Sequence, residues 1–265
     1  MDVAFMSTNC LENATCEAHR PAHLIEYFSA DWCEPCVQVG ESLDPLASNQ
    51  TVVLQHHPSP QDLTFFSDSK QRNDADYRLL FFPSVVLDGT HLFTGTRQAM
   101  DLVSTMENKT NDWQGLDNVS FVNNTLRWNA SVNGTVVVWA LAPTPHEVSG
   151  KLHPSVAYQR FATNASAGEL VVNAGALASN TSMMILLEQE GVRNLTVASL
   201  APTGAMDLID NTVGTTPSST AVSEIYLPAL VSAFLMFMLL PAIITHLRLT
   251  RGNRTETSME NGSEE

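Results

Sequence analysis

Basic residues are scarce in this 265-residue chain. Thirteen Lys and Arg stand against 28 Asp and Glu, the formal net charge is -15, and only three of the basic residues are lysines. A surface of that sign repels phosphate backbones, which excludes nucleic acid as a partner. It fits a saline or extracellular setting. Cysteine is scarce too: there are four, all within the first 36 residues. Four cannot staple a chain of this length, so a disulfide-built scaffold is excluded. No internal repeat is present. Residues 1–20 show neither a basic n-region nor a long apolar run, so no secretory leader is legible there. The length suits roughly two domains.

One stretch lacks charge altogether, Ile225 to Thr245. At about 1.5 Å per residue such a run crosses a hydrocarbon core about 30 Å thick. A single transmembrane helix is expected over 225–247, with a buried core helix as the bland alternative. Arg248, Arg251 and Arg254 follow it closely and only Glu224 precedes it at close range. The positive-inside rule then puts the C-terminus in the cytoplasm and the preceding domains outside the cell membrane. Ten Asn-x-Ser/Thr sequons before the span, at Asn13, Asn49, Asn108, Asn118, Asn123, Asn129, Asn133, Asn164, Asn180 and Asn194, agree with exposure outside. Export needs a leader, so two readings stand. Either a leader lies upstream of residue 1, which is the expectation carried forward, or the protein is tail-anchored with its domains in the cytoplasm.

The rest of the chain divides by pattern. Residues 1–20 read as a polar arm. Its Cys10 and Cys16 suit a local disulfide or two free thiols equally, and the neighbourhood has no strand-to-helix signature for a redox pair. Residues 21–108 alternate strand and helix patterns. Strands are expected at 23–29, 51–55, 84–87 and 91–94, with a turn at Asp88-Gly89. Helices are expected at 33–47, in the stretch up to Arg78, and at 98–108. The order β-α-β-α-β-β-α fits a mixed sheet with flanking helices. After a polar linker, 109–115, about seven short strand patterns fill 116–203. Asn133-Gly134 is the strongest hairpin signal among them. This spacing predicts an all-β, sandwich-like domain. Residues 204–224 read as a flexible stalk, and 248–265 as an acidic cytoplasmic tail.

Chemistry is concentrated in Trp32-Cys33-Glu34-Pro35-Cys36, which follows the apolar run Leu24 to Phe28. Two cysteines two residues apart at a strand-to-helix junction are the sequence form of a redox dithiol. Orphan N–H groups and the helix dipole stabilise a thiolate at Cys33. Cys36, one turn on, can resolve a mixed disulfide. Pro35 costs nothing in the first turn of a helix. Half a zinc site, a structural disulfide and an inactive remnant are the rival readings. Zinc needs two further ligands, and Cys10, Cys16, His56 and His57 do not stand at ribbon-like spacing. No metal and no cofactor are therefore called for. His56-His57 reads as a loop cap, Trp128 and Trp139 as core, and His146 and His153 receive no role.

Trp-Cys-x-Pro-Cys after an apolar strand, with Phe82-Pro83-Ser84-Val85-Val86 leading into Asp88-Gly89, resembles the thioredoxin family over about residues 21–108. The resemblance implies an α/β thioredoxin-like fold. It also implies a cis peptide before Pro83, a substrate-binding role for Trp32, Phe82 and Pro83, and a match of Gly95 to the glycine after the last strand. The Cys-Glu-Pro-Cys form is similar to that of membrane-anchored, extracytoplasmic thioredoxin-like reductases. Tyr27 stands where the family carries a buried acid, which leaves Glu34 or water to accept the proton. Val37 and Glu41 also depart from the family pattern. A carboxylate at Glu34 disfavours a neighbouring thiolate and so favours the disulfide, the mark of a reductant. Glu34 and Pro35 are thus expected to modulate the pair.

The expectation is a membrane-anchored thiol–disulfide oxidoreductase acting on protein thiols and disulfides through Cys33 and Cys36. A separate membrane or soluble electron donor must recharge it, because the span carries no cysteine. The alternative is a cell-surface binding protein that uses the β-sandwich, with the first domain as scaffold.

Overall fold

The computed structural model describes residues 1–197 apart from 12, 14, 148–149, 173–176 and 192. In chain order the elements are β1 (Asp2–Met6), α1 (Thr8–Leu11), β2 (Thr15–Glu17), β3 (His23–Phe28), α2 (Glu34–Leu43), β4 (Thr51–His56) and α3 (Ser67–Gln71). A π-helical turn, Arg72–Tyr77, continues α3. Then come β5 (Ser84–Leu87), β6 (His91–Thr94), α4 (Gly95–Ala99), α5 (Leu102–Glu107), β7 (Leu116–Val122), β8 (Thr125–Ala130), β9 (Thr135–Pro145), β10 (Leu152–Asn164), β11 (Glu169–Val171), β12 (Ser182–Glu188) and β13 (Thr196–Val197).

The strands form two sheets. Nine lie in the order β1-β12-β9-β10-β4-β3-β5-β6-β13, and four in the order β11-β8-β7-β2. β3 is central to the large sheet, parallel to β4 and antiparallel to β5. Its sequence, HLIEYF, is buried from Leu24 onward on both faces. That is the near-continuous run of a strand covered on both sides. β4 is buried throughout for the same reason.

This architecture corrects the expected fold class. A separate α/β thioredoxin-like domain followed by a β-sandwich does not match it: the described chain is mostly β, with one large mixed sheet, one small sheet and few short helices. The cause is the junction at β10, which pairs parallel with β4 at Val156 and Gln55. It thereby covers what would have been an open edge. Val3, Leu24, Val52, Leu54, Val137, Trp139, Leu141, Met184 and Leu186, drawn from both parts of the chain, form one buried cluster on one face of the sheet. On the other face, α2 packs over Ile25, Tyr27, Val53 and Val85. The small sheet packs Phe121, Leu126 and Trp128 against Met6, Val138 and Ile185 of the large one.

Two local expectations also change. The polar arm is structural: β1 pairs with β12 and buries Val3 and Met6, and β2 pairs with β7. A disulfide joins Cys10 to Cys16 and ties α1 to β2. Asn133-Gly134 closes no hairpin, since β8 and β9 belong to different sheets. Gly134 is needed because a Cβ there would run into the Glu188 carbonyl oxygen. The tight turn of the small sheet is instead Asn123-Asn124, both left-handed, between Val122 and Thr125.

The stalk, span and tail expected at 204–224, 225–247 and 248–265 lie outside the described residues. Among the described ones no helix is long and apolar enough to cross a membrane.

Candidate functional site

β3 ends at Phe28, and the chain turns through residues 29–32 into α2, whose N-cap is Cys33 in extended conformation. Pro35 sits in the first turn. The Cys33 amide donates to Ala30 O and the Cys36 amide to Cys33 O, each at 3.0 Å. The two cysteines are joined as a disulfide, with Cα atoms 5.3 Å apart, and each is only 4% exposed. Trp32 beside them is 56% exposed, and its indole N–H donates to Ser59 Oγ at 2.8 Å.

The Phe82–Pro83 peptide is cis. Phe82 packs against the cluster that holds both cysteines and makes an edge contact with Trp32, ring centroids 6.1 Å apart. Pro83 is buried, and its carbonyl accepts from the Gly95 amide at 2.8 Å. Glu34 and Pro35 are exposed. Trp32, Cys33, Cys36 and Phe82 thus meet in space. Leu63, Leu80 and Phe81, which the sequence did not single out, are exposed on neighbouring loops.

Alternation along β3 sends Tyr27 to the dithiol face and Glu26 to the other. Tyr27 Oη donates to Cys36 O at 2.6 Å, and burial pushes its phenol well above the ordinary range. Glu26 is fully buried and takes two bonds from Arg72, Nε to Oε2 at 2.8 Å and Nη2 to Oε1 at 3.1 Å. Tyr77 Oη also donates to it, and His56 Nε2 lies 3.4 Å away. Burial alone would raise the Glu26 pKa. The Arg72 charge and the His56 contact outweigh it and hold the carboxyl well below the usual range. Glu26 is committed to this ion pair and does not serve the dithiol.

A cavity of about 60 Å³ opens beside α2 on the dithiol face. Tyr27, Cys36 and Gln55 line it together with His146 and His153. His146 follows the end of β9 and His153 lies in β10, so the antiparallel β9–β10 pair carries both back to the turn after β3. There Asp31 Oδ1 stands 3.1 Å from His153 Nε2 and 4.0 Å from His146 Nε2. Asp31 Oδ2 accepts from the Glu147 amide at 2.9 Å. His146 and His153 stack, centroids 5.0 Å apart, and His57 meets His153 edge-on at 5.0 Å.

Burial, then the neighbouring His153, pushes His57 down to about 4. Burial also lowers His153. Asp62, buried next to Asp31 and repelled by its charge, is raised to about 6. Asp31, His146 and His153 offer ligand atoms all within 4.8 Å of one another and are the described residues best placed to hold a metal. Sequence reasoning missed this group. The three residues are spread over more than a hundred positions, and only the β9–β10 pairing brings them to one point.

No family model matches the chain, and no curated protein matches it. Among solved structures, an Agrobacterium tumefaciens protein determined by X-ray crystallography as a structural-genomics target is similar at a TM-score of 0.44. It is 14% identical, over 64% of this chain and 79% of that one.

Proposed function

We propose that the protein is a thiol–disulfide oxidoreductase that reduces or isomerises protein disulfides through Cys33 and Cys36. One observation carries the reading. Cys33 caps a ten-residue helix, with Cys36 one turn on. An N-terminal helix position stabilises a thiolate. The exposed Trp32 and the neighbouring Leu80 and Phe81 suit an unfolded or extended polypeptide as substrate. The redox dithiol is of the kind the thioredoxin family carries.

The Cys33 thiolate attacks one sulfur of a substrate disulfide. A mixed disulfide forms, and the other substrate sulfur leaves and takes up a proton. Cys36, losing its proton to Glu34 or solvent, attacks Cys33 Sγ and releases the second substrate thiol. The substrate gains two electrons, and the Cys33–Cys36 disulfide that results must be reduced by a partner dithiol. The sequons and the arginines after residue 245 support a single-pass protein acting outside the cell membrane, with a donor in or beside that membrane.

Two measurements test this. Cys36→Ser should accumulate mixed disulfides with a reducible substrate such as insulin, and Cys33→Ser should not. Equal trapping by both variants, or by neither, sinks the proposal. A redox titration followed by Trp32 fluorescence should give a potential near about -270 mV for a reductase. A value of about -180 mV or above means an isomerase or oxidase and overturns the role given to Glu34.

A further inference from the structure

Asp31, His146 and His153 lie outside the thiol chemistry just described, yet they meet at one point, and the two histidines line the cavity that Cys36 also lines. Two imidazole Nε2 atoms approach one carboxylate oxygen, Asp31 Oδ1, at 3.1 and 4.0 Å. The supporting contacts have the form of an outer coordination sphere. Asp31 Oδ2 is held by the Glu147 amide. Gln55 reaches His153 Nδ1 at 3.0 Å.

The Gln55 contacts are informative. Its Nε2 lies 3.0 Å from each of Ser29 Oγ, His57 Nε2 and His153 Nδ1. One NH2 has two hydrogens for these three neighbours. The other orientation of the amide presents an oxygen that accepts Nδ1–H of His153. In that orientation Nε2 of His153 either donates to Asp31 Oδ1 as an imidazolium or, when neutral, presents its lone pair to a cation held beside that oxygen.

Asp62 gives a second, independent observation. It is buried at 5% exposure, and its Oδ1 accepts the Asp31 amide at 3.1 Å. Its Oδ2 is buried without a hydrogen-bond partner. The ion pairs of Asp31 are with imidazoles, His153 at 3.1 Å and His146 at 4.0 Å. Beside the cluster, Asp62 Oδ2 is thus a buried polar atom that no protein group satisfies.

We infer that Asp31, His146 and His153 form a binding site for a divalent first-row transition ion of the zinc class, open on its fourth side to the cavity beside Cys36. Two imidazoles and one carboxylate are the donors such ions take, and three protein ligands leave one position for water. The cavity has room for that water.

The test uses the full, untagged chain in detergent, stripped of metal by a chelator, with both disulfides closed so that no thiol can bind. Co²⁺ is titrated in and followed by its visible absorption, and Zn²⁺ is then added in competition. The expected result is one saturable equivalent of Co²⁺ that Zn²⁺ displaces, without a sulfur charge-transfer band. His146→Ala and His153→Ala should each abolish it, with the fold checked by circular dichroism. Gln55→Leu should weaken it about 10–100-fold. No saturable absorption in the unaltered protein, a sulfur band, or binding unchanged in both histidine variants overturns the site. Because the disulfides stay closed throughout, this outcome is independent of whether Cys33 and Cys36 exchange with a substrate.

Discussion

Glu26 and Tyr27 are neighbours in sequence with opposite tasks. The alternation of β3 makes the division legible: one residue faces the dithiol and the other cannot. Their partners were not legible. Arg72 arrives from the π-helical turn 46 positions later to neutralise Glu26. Arg72→Leu should cost about 3–5 kcal/mol, because it strands a buried carboxylate. Chemical denaturation of the variant and the parent measures the difference, and a loss within error would show that the pair is not what holds this face. The acid limb follows from the same residue. The folded pKa of Glu26 is depressed, so its contribution is full above its unfolded value of about 4.3 and is lost as pH falls through the folded value. Glu26→Gln should therefore be less stable than the parent at neutral pH, with the gap narrowing as pH drops below about 4. Denaturation midpoints across that range check it, and a gap independent of pH contradicts it.

At the scale of elements, α2 was legible because Cys33, Pro35 and the apolar positions after them agree on one helix start. The observed helix runs from Glu34 to Leu43 and passes into a 3₁₀ turn at Asp44–Leu46, where Pro45 enters. β1 was not legible: Val-Ala-Phe-Met is short and unalternating, and nothing local says that it will pair with residues 183–187. Pairing makes it core. Met6 is fully buried among Met183, Ile185 and Phe121. Met6→Ala should destabilise the protein by about 2–5 kcal/mol, as truncations of large core side chains do. Thermal or denaturant unfolding decides it, and a change below about 0.5 kcal/mol, the level of surface substitutions, would return residues 1–7 to the status of an arm.

At the scale of the whole molecule, the dithiol segment is not free-standing. A fragment of residues 17–108 would leave the outer edge of β4 unpaired. It would also remove Val137, Trp139, Leu141, Met184 and Leu186 from the cluster that covers Leu24, Val52 and Leu54. Such a fragment is expected to lack a cooperative thermal transition, while the full chain unfolds its two sheets together. A fragment that melts cooperatively at the temperature of the full chain would contradict the shared core. Redox measurements accordingly belong on the intact protein.

The sequence by itself determined the Cys33–Cys36 pair, the strand-to-helix junction that presents it, and the alternation that parts Tyr27 from Glu26. Each depends on residues within a few positions, where backbone sterics and period suffice. Tertiary structure alone decided that β10 closes onto β4, that residues 2–6 complete the sheet, and that Asp31 meets His146 and His153. Those contacts join residues about a hundred positions or more apart. They are selected by the burial of edges and apolar faces, which no local pattern encodes.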